Sequence, residues 1–400
     1  MKTKSILIIP KEVEPLLLPS PHLSILELLR FRIPNAASNA LISRWKTEDF
    51  FSDKPPITFT PQLIAQIPSP PKDLVKNLRN FIGEATSNGM KSVKCPHSRL
   101  GAEKTYPLWI ITYWAKLDGV QHIRDSWEQA EWYLQDRLHD WTQRSISEGV
   151  SVIKRIMIGL SSLQWADSLR GFSKEAVDSL DTLTRYASTQ WMTGENANQL
   201  LDLLHNDLER RGQERVKVAS TYFYSKISLA FDEREGYGTN QTYRTHRQIG
   251  EDLENGAINQ LAFLANLDRN HWIAVIIDAQ TRRIYFGDSL GLEISKAVWD
   301  VLDWWTGFHN SGEPFTLERL PITIQQDSFS CGVLAWNALS AFLTDVDLIP
   351  ITKVTEGRMR ALLEIIDEHM EAIVEVCVHK ELLIRVHADK GSRMKKWMLT

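Results

Sequence analysis

The chain has 400 residues, enough for one large domain or two ordinary ones. Hydrophobic residues make up 43% and charged residues 24%, both globular values, and a formal net charge of -4 from 46 basic and 50 acidic side chains leaves no basic excess to grip phosphates. Direct nucleic-acid binding is set aside on that ground, and three cysteines (Cys95, Cys331, Cys377) cannot build a disulfide framework and suit a reducing compartment.

In chain order, the start MKTKSILIIP stops its apolar stretch at Pro10, too short for a secretory segment, and no window approaches 18 apolar residues, so no membrane span is expected. Residues 1–106 are punctuated by Pro55, Pro56, Pro61, Pro68, Pro70 and Pro71 and read as short elements, with one helix near Lys72–Ala85. From Leu108 to Trp141 the apolar positions recur at threes and fours, the period of one long amphipathic helix or of two broken near Gly119. Five of the fourteen tryptophans fall there and read as packing. Further helices are expected at Lys174–Thr189 and Gly194–Arg210.

After Gly256 the period changes. Gln260–Leu267, His271–Asp278 and Arg282–Asp288 read as strands, Leu292–Trp305 as a helix, Phe315–Ile324 as a strand, and Val333–Leu343 and Arg358–Val376 as helices. The fold class is therefore α+β: a mixed sheet flanked by helices, behind a mainly helical N-terminal region. His369 is expected to be exposed among acids, and in the basic tail 386–400 the run Lys390–Lys396 reads as a solvated C-terminus ahead of a weak nuclear signal.

A hairpin with a two-residue turn at Ala279 and Gln280 would pair Ile273 with Phe286, Val275 with Ile284 and Trp272 with Gly287, and set His271 opposite Asp288. Opposed residues lie roughly 5 Å apart at Cβ, so the carboxylate would accept the Nδ1 proton and leave Nε2 as a base. Cys331 precedes Gly332 at the start of an apolar helix, where the positive end of the helix dipole and an imidazolium both favour a thiolate. Gln325, six residues earlier, offers a side-chain amide to join the Cys331 N–H in stabilising an oxyanion. His271, Asp288, Gln325 and Cys331 thus read as a thiol acyl-transfer site.

The runs ANLDRNHWIAVIIDAQTRRIYFGDSL and QQDSFSCGVLAWNAL resemble the SUMO-protease (ubiquitin-like-protein protease) family of cysteine peptidases. That family has His-Trp opening a strand, Asp-Ser seventeen residues after the His, and Gln, five residues, then Cys-Gly; His271, Asp288, Gln325 and Cys331 match each. The resemblance covers about Leu180–Ile373 and implies a papain-like, adenovirus-protease-like core at 166–385, with 1–165 as an accessory region similar to those appended in fungal members. It implies a SUMO or other ubiquitin-like protein as partner, a Gly-Gly tail as substrate, no cofactor or metal, and a place in nucleus or cytoplasm. Trp191 and Trp272 match the two tryptophans that cover such a tail, flat rings that reject side chains. Ser330 stands where many members have Asp, and Met192, Thr193 and Gly194 stand in place of Leu-Asn-Asp.

Other readings compete. Gly287-Asp288-Ser289-Leu290-Gly291 fits an esterase elbow with Ser289 as nucleophile, although Asp268-Arg-Asn-His271 precedes it rather than follows. The fold could serve as a silent ubiquitin-like-protein binding module, the His-Asp pair could be ordinary core, or the thioester could be resolved by an amine, making an acyltransferase. Cys95 with His97 and Cys377 with His379 each offer two zinc ligands without a partner pair.

Overall fold

From Gln260 to Gly287 three successive strands bury both faces, and their apolar side chains divide by parity. Leu261, Phe263, Ala265, Ile273, Val275, Ile277, Ile284 and Phe286 enter one core cluster, and Ala262, Leu264, Trp272, Ala274, Ile276 and Tyr285 meet another. A sheet apolar on both faces needs a helical layer on each, and the computed structural model shows this sandwich. The structure describes residues 7–34, 46–57, 59–94, 104–172, 177–310 and 312–374. Cys95, His97, Cys377, His379 and the basic tail 386–400 lie outside the described residues.

Two compact units emerge. The first comprises Met1–Gln129 and Leu160–Asp167, the second Ala130–Gly159 and Ser168–Thr400. In the first, a small antiparallel sheet of β1 (Phe51–Ser52), β2 (Ser92–Lys94) and β3 (Thr105–Pro107) packs with α1 (Lys72–Ser87) around Ile64, Leu78, Trp109 and Trp114. α2 (Ile110–Gln143) is a single helix with no break at Gly119. Four of the tryptophans in 108–141 are buried as expected, but Trp132 is 70% exposed.

In the second unit, residues 130–159 are held to the C-terminal helix. α3 (Ser147–Leu160) sets Arg155 on Asp367 at 2.8 Å, Glu148 accepts from Lys353 at 2.9 Å, and Gly159 meets the Ile366 side chain with no room for a Cβ. The main sheet runs β4 (Val216–Val218), β5 (Gln260–Leu267), β6 (His271–Asp278), β7 (Arg283–Gly287), β8 (Thr316–Arg319), parallel at the two edge pairs and antiparallel within. One face carries α5 (Tyr222–Asp232), α6 (Arg244–Glu254) and α7 (Lys296–His309). The other carries α4 (Gly194–Arg210) and α8 (Cys331–Thr344). A last helix, α9, spans 354–374. None of the described helices is long and apolar enough to cross a membrane.

Several expectations are corrected. The stretch Lys174–Thr189 is not a helix: its described part holds only a 3₁₀ turn at Leu180–Arg185, bent around hydrogen bonds to Thr182 and Tyr186. Phe315–Ile324 shortens to β8, and the helix read from Leu292 begins at Lys296 behind a Ser295 cap. His369 is buried, its Nδ1 accepting the Arg170 N–H at 2.9 Å, because residues before α4 cover that side of α9.

The central hairpin is also displaced. Its connection is Ala279–Arg282 rather than two residues: Asp278 caps the turn by accepting Thr281 N–H at 2.9 Å, and Arg282 takes a left-handed φ of 52°. Val275 therefore pairs with Phe286 and Ala274 with Gly287, a shift of two residues from the expected register. A shift of two keeps every side chain on its face, whereas a shift of one would have exchanged the two cores.

Candidate active site

The β5–β6 turn places the first element of the site. Asp268 and Arg269 both adopt left-handed backbone (φ 51° and 62°), matching the twist of the flanking strands, and return the chain so that His271 pairs with Leu267 at the start of β6. Asp288 lies one residue past the end of β7. Its Oδ1 accepts from His271 Nε2 at 2.8 Å and from the Leu290 N–H at 2.7 Å, which fixes the carboxylate. The expected pair forms, but through the other ring nitrogen. In the observed register Asp288 is not opposite His271 but diagonal to it, so it reaches the tip of the ring and leaves Nδ1 for the thiol.

Cys331 lies close enough to His271 to act on its charge. The Asp288 hydrogen bond, then the interaction with Cys331, push the imidazole up to about 9 against the opposing effect of burial, so it is cationic at neutral pH. Cys331 is the first residue of α8 and only 3% exposed. Ser330 caps the helix without a side-chain cap bond, because its hydroxyl donates instead to Asp327 Oδ2 at 2.7 Å. Asp327 Oδ1 also accepts from Phe329 N and Ser330 N at 2.9 and 2.8 Å, so one carboxylate shapes the whole approach to Cys331. The sequence reading missed Asp327; its position three before Ser330 fits a turn-forming Asp, a signal available in the run QQDSFSC. The Cys331 N–H is one of the first amides of α8, which have no acceptor within a helix.

Gln325 is gripped at both ends. Its backbone N–H donates to the Ser289 carbonyl at 2.8 Å, its Oε1 accepts the Ser289 hydroxyl at 2.7 Å, and its Nε2 donates to the Asp327 carbonyl at 2.8 Å. This orients the amide and leaves one Nε2 hydrogen free. Ser289 is fully buried and its hydroxyl is committed.

The two tryptophans differ. Trp191 is 48% exposed, and its carbonyl accepts from Arg185 Nη1 at 3.0 Å. Trp272 is 4% exposed, with its Nε1 donating to the Met192 carbonyl at 3.1 Å and its ring backing Gly332. A Cβ on Gly332 would lie 3.0 Å from Met192 Sδ and 3.4 Å from Trp272 Cδ1, so glycine after Cys331 is what lets the three pack together. Thr193 opens α4 with a reciprocal cap, its hydroxyl accepting from Asn196 N and Asn196 Oδ1 accepting from Thr193 N.

Residues 190–372 match the model of the Ulp1 protease family, C-terminal catalytic domain. This segment belongs to the Ulp1 protease family. The Ulp1-family domain coincides with the stretch in which His271, Asp288, Gln325 and Cys331 converge, and it makes the chain a cysteine peptidase. No curated protein matches the sequence. Among solved structures, SUMO protease Ulp1 with its catalytic cysteine oxidised to a sulfenic acid is 16% identical, with 55% of this chain and 94% of that one covered and a TM-score of 0.43. The Ulp1 protease domain in complex with Smt3, the yeast ortholog of SUMO, gives 17%, 55%, 94% and 0.42. The Chaetomium thermophilum Ulp1-like SUMO protease catalytic domain gives 13%, 45%, 74% and 0.37.

Proposed function

We propose that this Ulp1-family domain cleaves after the C-terminal Gly-Gly of SUMO or a related ubiquitin-like protein. The observation that carries it is the His271–Asp288 hydrogen bond set beside Cys331 at the head of α8, next to an oriented Gln325 amide. Cys331 Sγ attacks the terminal glycine carbonyl. The oxyanion is met by the Cys331 N–H and the free Gln325 Nε2 hydrogen, donors of the kind worth roughly a hundredfold to a thousandfold in turnover. His271 gives its proton to the departing amine, the C–N bond breaks, and an acyl-thioester remains on Cys331. A water molecule then loses a proton to His271 and displaces the thiolate, releasing the carboxylate tail.

The half-exposed ring of Trp191 supplies an open wall for a tail without side chains, and buried Trp272 supports Gly332 from beneath. Asp288 orients His271. The Ser289 esterase reading loses support because that hydroxyl is buried and donated to Gln325. A nuclear or cytoplasmic setting, both reducing, would keep the thiol usable.

The test is covalent labelling by a panel of ubiquitin-like proteins ending in an electrophile. Labelling by at least one member is expected, lost in Cys331→Ala and retained in Ser289→Ala. The reverse pattern, or no labelling by any member, would sink the proposal.

A further inference from the structure

One buried cation has no part in the chemistry above. Arg358 lies on α9 with 1% of its surface exposed, and among the described residues no carboxylate forms an ion pair with it. A guanidinium deprived of both water and anion must place its N–H groups elsewhere. Nε donates to the Tyr186 carbonyl at 3.2 Å, Nη1 to the Phe329 carbonyl at 3.0 Å, and Nη2 to the carbonyls of Arg185 and Gln190. Its plane also approaches the Phe329 ring, 5.3 Å from centroid. Burial brings it down to about 10, so it stays charged at neutral pH.

The four carbonyls belong to two segments remote in sequence. Arg185, Tyr186 and Gln190 precede Trp191, and Arg185 in turn donates from Nη1 to the Trp191 carbonyl, so the wall residue is held at one remove from Arg358. Phe329 stands two residues before Cys331, in the turn that Asp327 shapes. A planar fork with five donors can bind both segments in fixed relation, and a lysine ammonium with three donors on one atom cannot reproduce that geometry.

We propose that Arg358 is a positioning residue that ties the backbone bearing Trp191 to the loop bearing Cys331, so that the wall over the substrate tail and the nucleophile move as one piece. This rests on the reading of Trp191 as a substrate wall. The distance from carbonyl to thiol is then set before the tail arrives, and a misplacement of about 1 Å can cost roughly a hundredfold in rate.

Amide hydrogen exchange on the substrate-free chain, together with cleavage of a ubiquitin-like precursor and alkylation of Cys331 by iodoacetamide, tests the tie. In the wild type, residues 185–191 and 328–331 open as one unit with a common protection. Arg358→Lys keeps the charge and loses the fork, and Arg358→Met keeps only the apolar length. In either variant both segments lose protection together by about tenfold or more while β5 and β6 keep theirs. Cleavage falls by about tenfold or more through KM as well as kcat, whereas iodoacetamide, which needs no wall, reacts within about threefold of the wild-type rate. Unequal protection of the two segments in the wild type overturns the proposal. So does a uniform loss across the molecule, or alkylation that falls as far as cleavage, since these point to a plain core residue or to an effect on the thiol itself. A wild type that cleaves no Gly-Gly substrate removes the proposed function, and the exchange data alone then decide whether the tie exists.

Discussion

At the scale of the residue, the charge on His271 is the quantity that the site controls most directly. Its folded value of about 9 lies above the ordinary 6.5, with the Asp288 hydrogen bond as the largest cause and the interaction with Cys331 second. A raised value means that the folded state holds its proton more tightly, so this contribution to stability is complete below pH 6.5 and is lost as pH rises to about 9. Turnover that needs an imidazolium to protonate the leaving amine declines over the same alkaline limb. Asp288→Asn removes the main cause, so the alkaline limb of kcat/KM is expected to move down toward the ordinary histidine range, and stability measured by urea melts should decline less steeply between pH 6.5 and 9. A limb that stays in place would show that Asp288 does not set the charge. The four candidate residues were legible as a set because their types and order carry chemistry. Which ring nitrogen faces the carboxylate was not, since it depends on a register that only the folded turn decides. Arg358 was illegible for a related reason: an arginine in a helical pattern carries no sign of carbonyls about 170 positions away.

At the scale of the element, α6 and α7 show tertiary packing overriding propensity. Gly250 sits within α6, where alanine would ordinarily be favoured by about 1 kcal/mol. A Cβ there would lie 2.2 to 2.5 Å from the His309 ring, and that ring cannot withdraw, because Tyr237 Oη holds its Nε2 at 2.9 Å while accepting from Trp305 Nε1 at 2.8 Å. Overpacking of a fixed site costs about 1–3 kcal/mol, so Gly250→Ala is expected to lower stability in urea unfolding despite its better propensity. A variant as stable as the parent would refute the close approach. Burial holds His309 down to about 4, so it is neutral in the fold and its contribution is lost as pH falls from 6.5 toward 4, the opposite limb to that of His271. Strands β5 and β6 were read with their bounds intact, because long alternating runs declare themselves. β1–β4 have two or three residues each and carry no period to detect. His369 was read as exposed because its neighbours in sequence are acids, and the contact that buries it comes from Arg170.

At the scale of the molecule, the boundary between units matters more than the number of elements. The α+β class was legible from the change of period after Gly256, but the ties of residues 130–159 to α9 were not, because they rest on ion pairs and packing between residues far apart in sequence. A fragment beginning at residue 130 keeps Arg155 with Asp367, Glu148 with Lys353, and the cover over Ile366. One beginning at 168 exposes that side chain and strands the charges. The longer fragment is expected to melt cooperatively at a higher temperature, with a difference seen by circular dichroism. Equal melting would place 130–159 outside the cooperative unit.

The connection Ala279–Arg282 gives the hairpin a tolerance that is arithmetic rather than chemical. A pleated sheet distinguishes odd from even, so a slip of the β6–β7 pairing by two residues keeps both cores and the orientation of every strand side chain. A slip of the pairing by one residue would turn every β7 side chain toward the opposite core. A slip of two would still carry Asp288 along the strand away from the tip of His271, so the site fixes a register that the two cores alone would leave open.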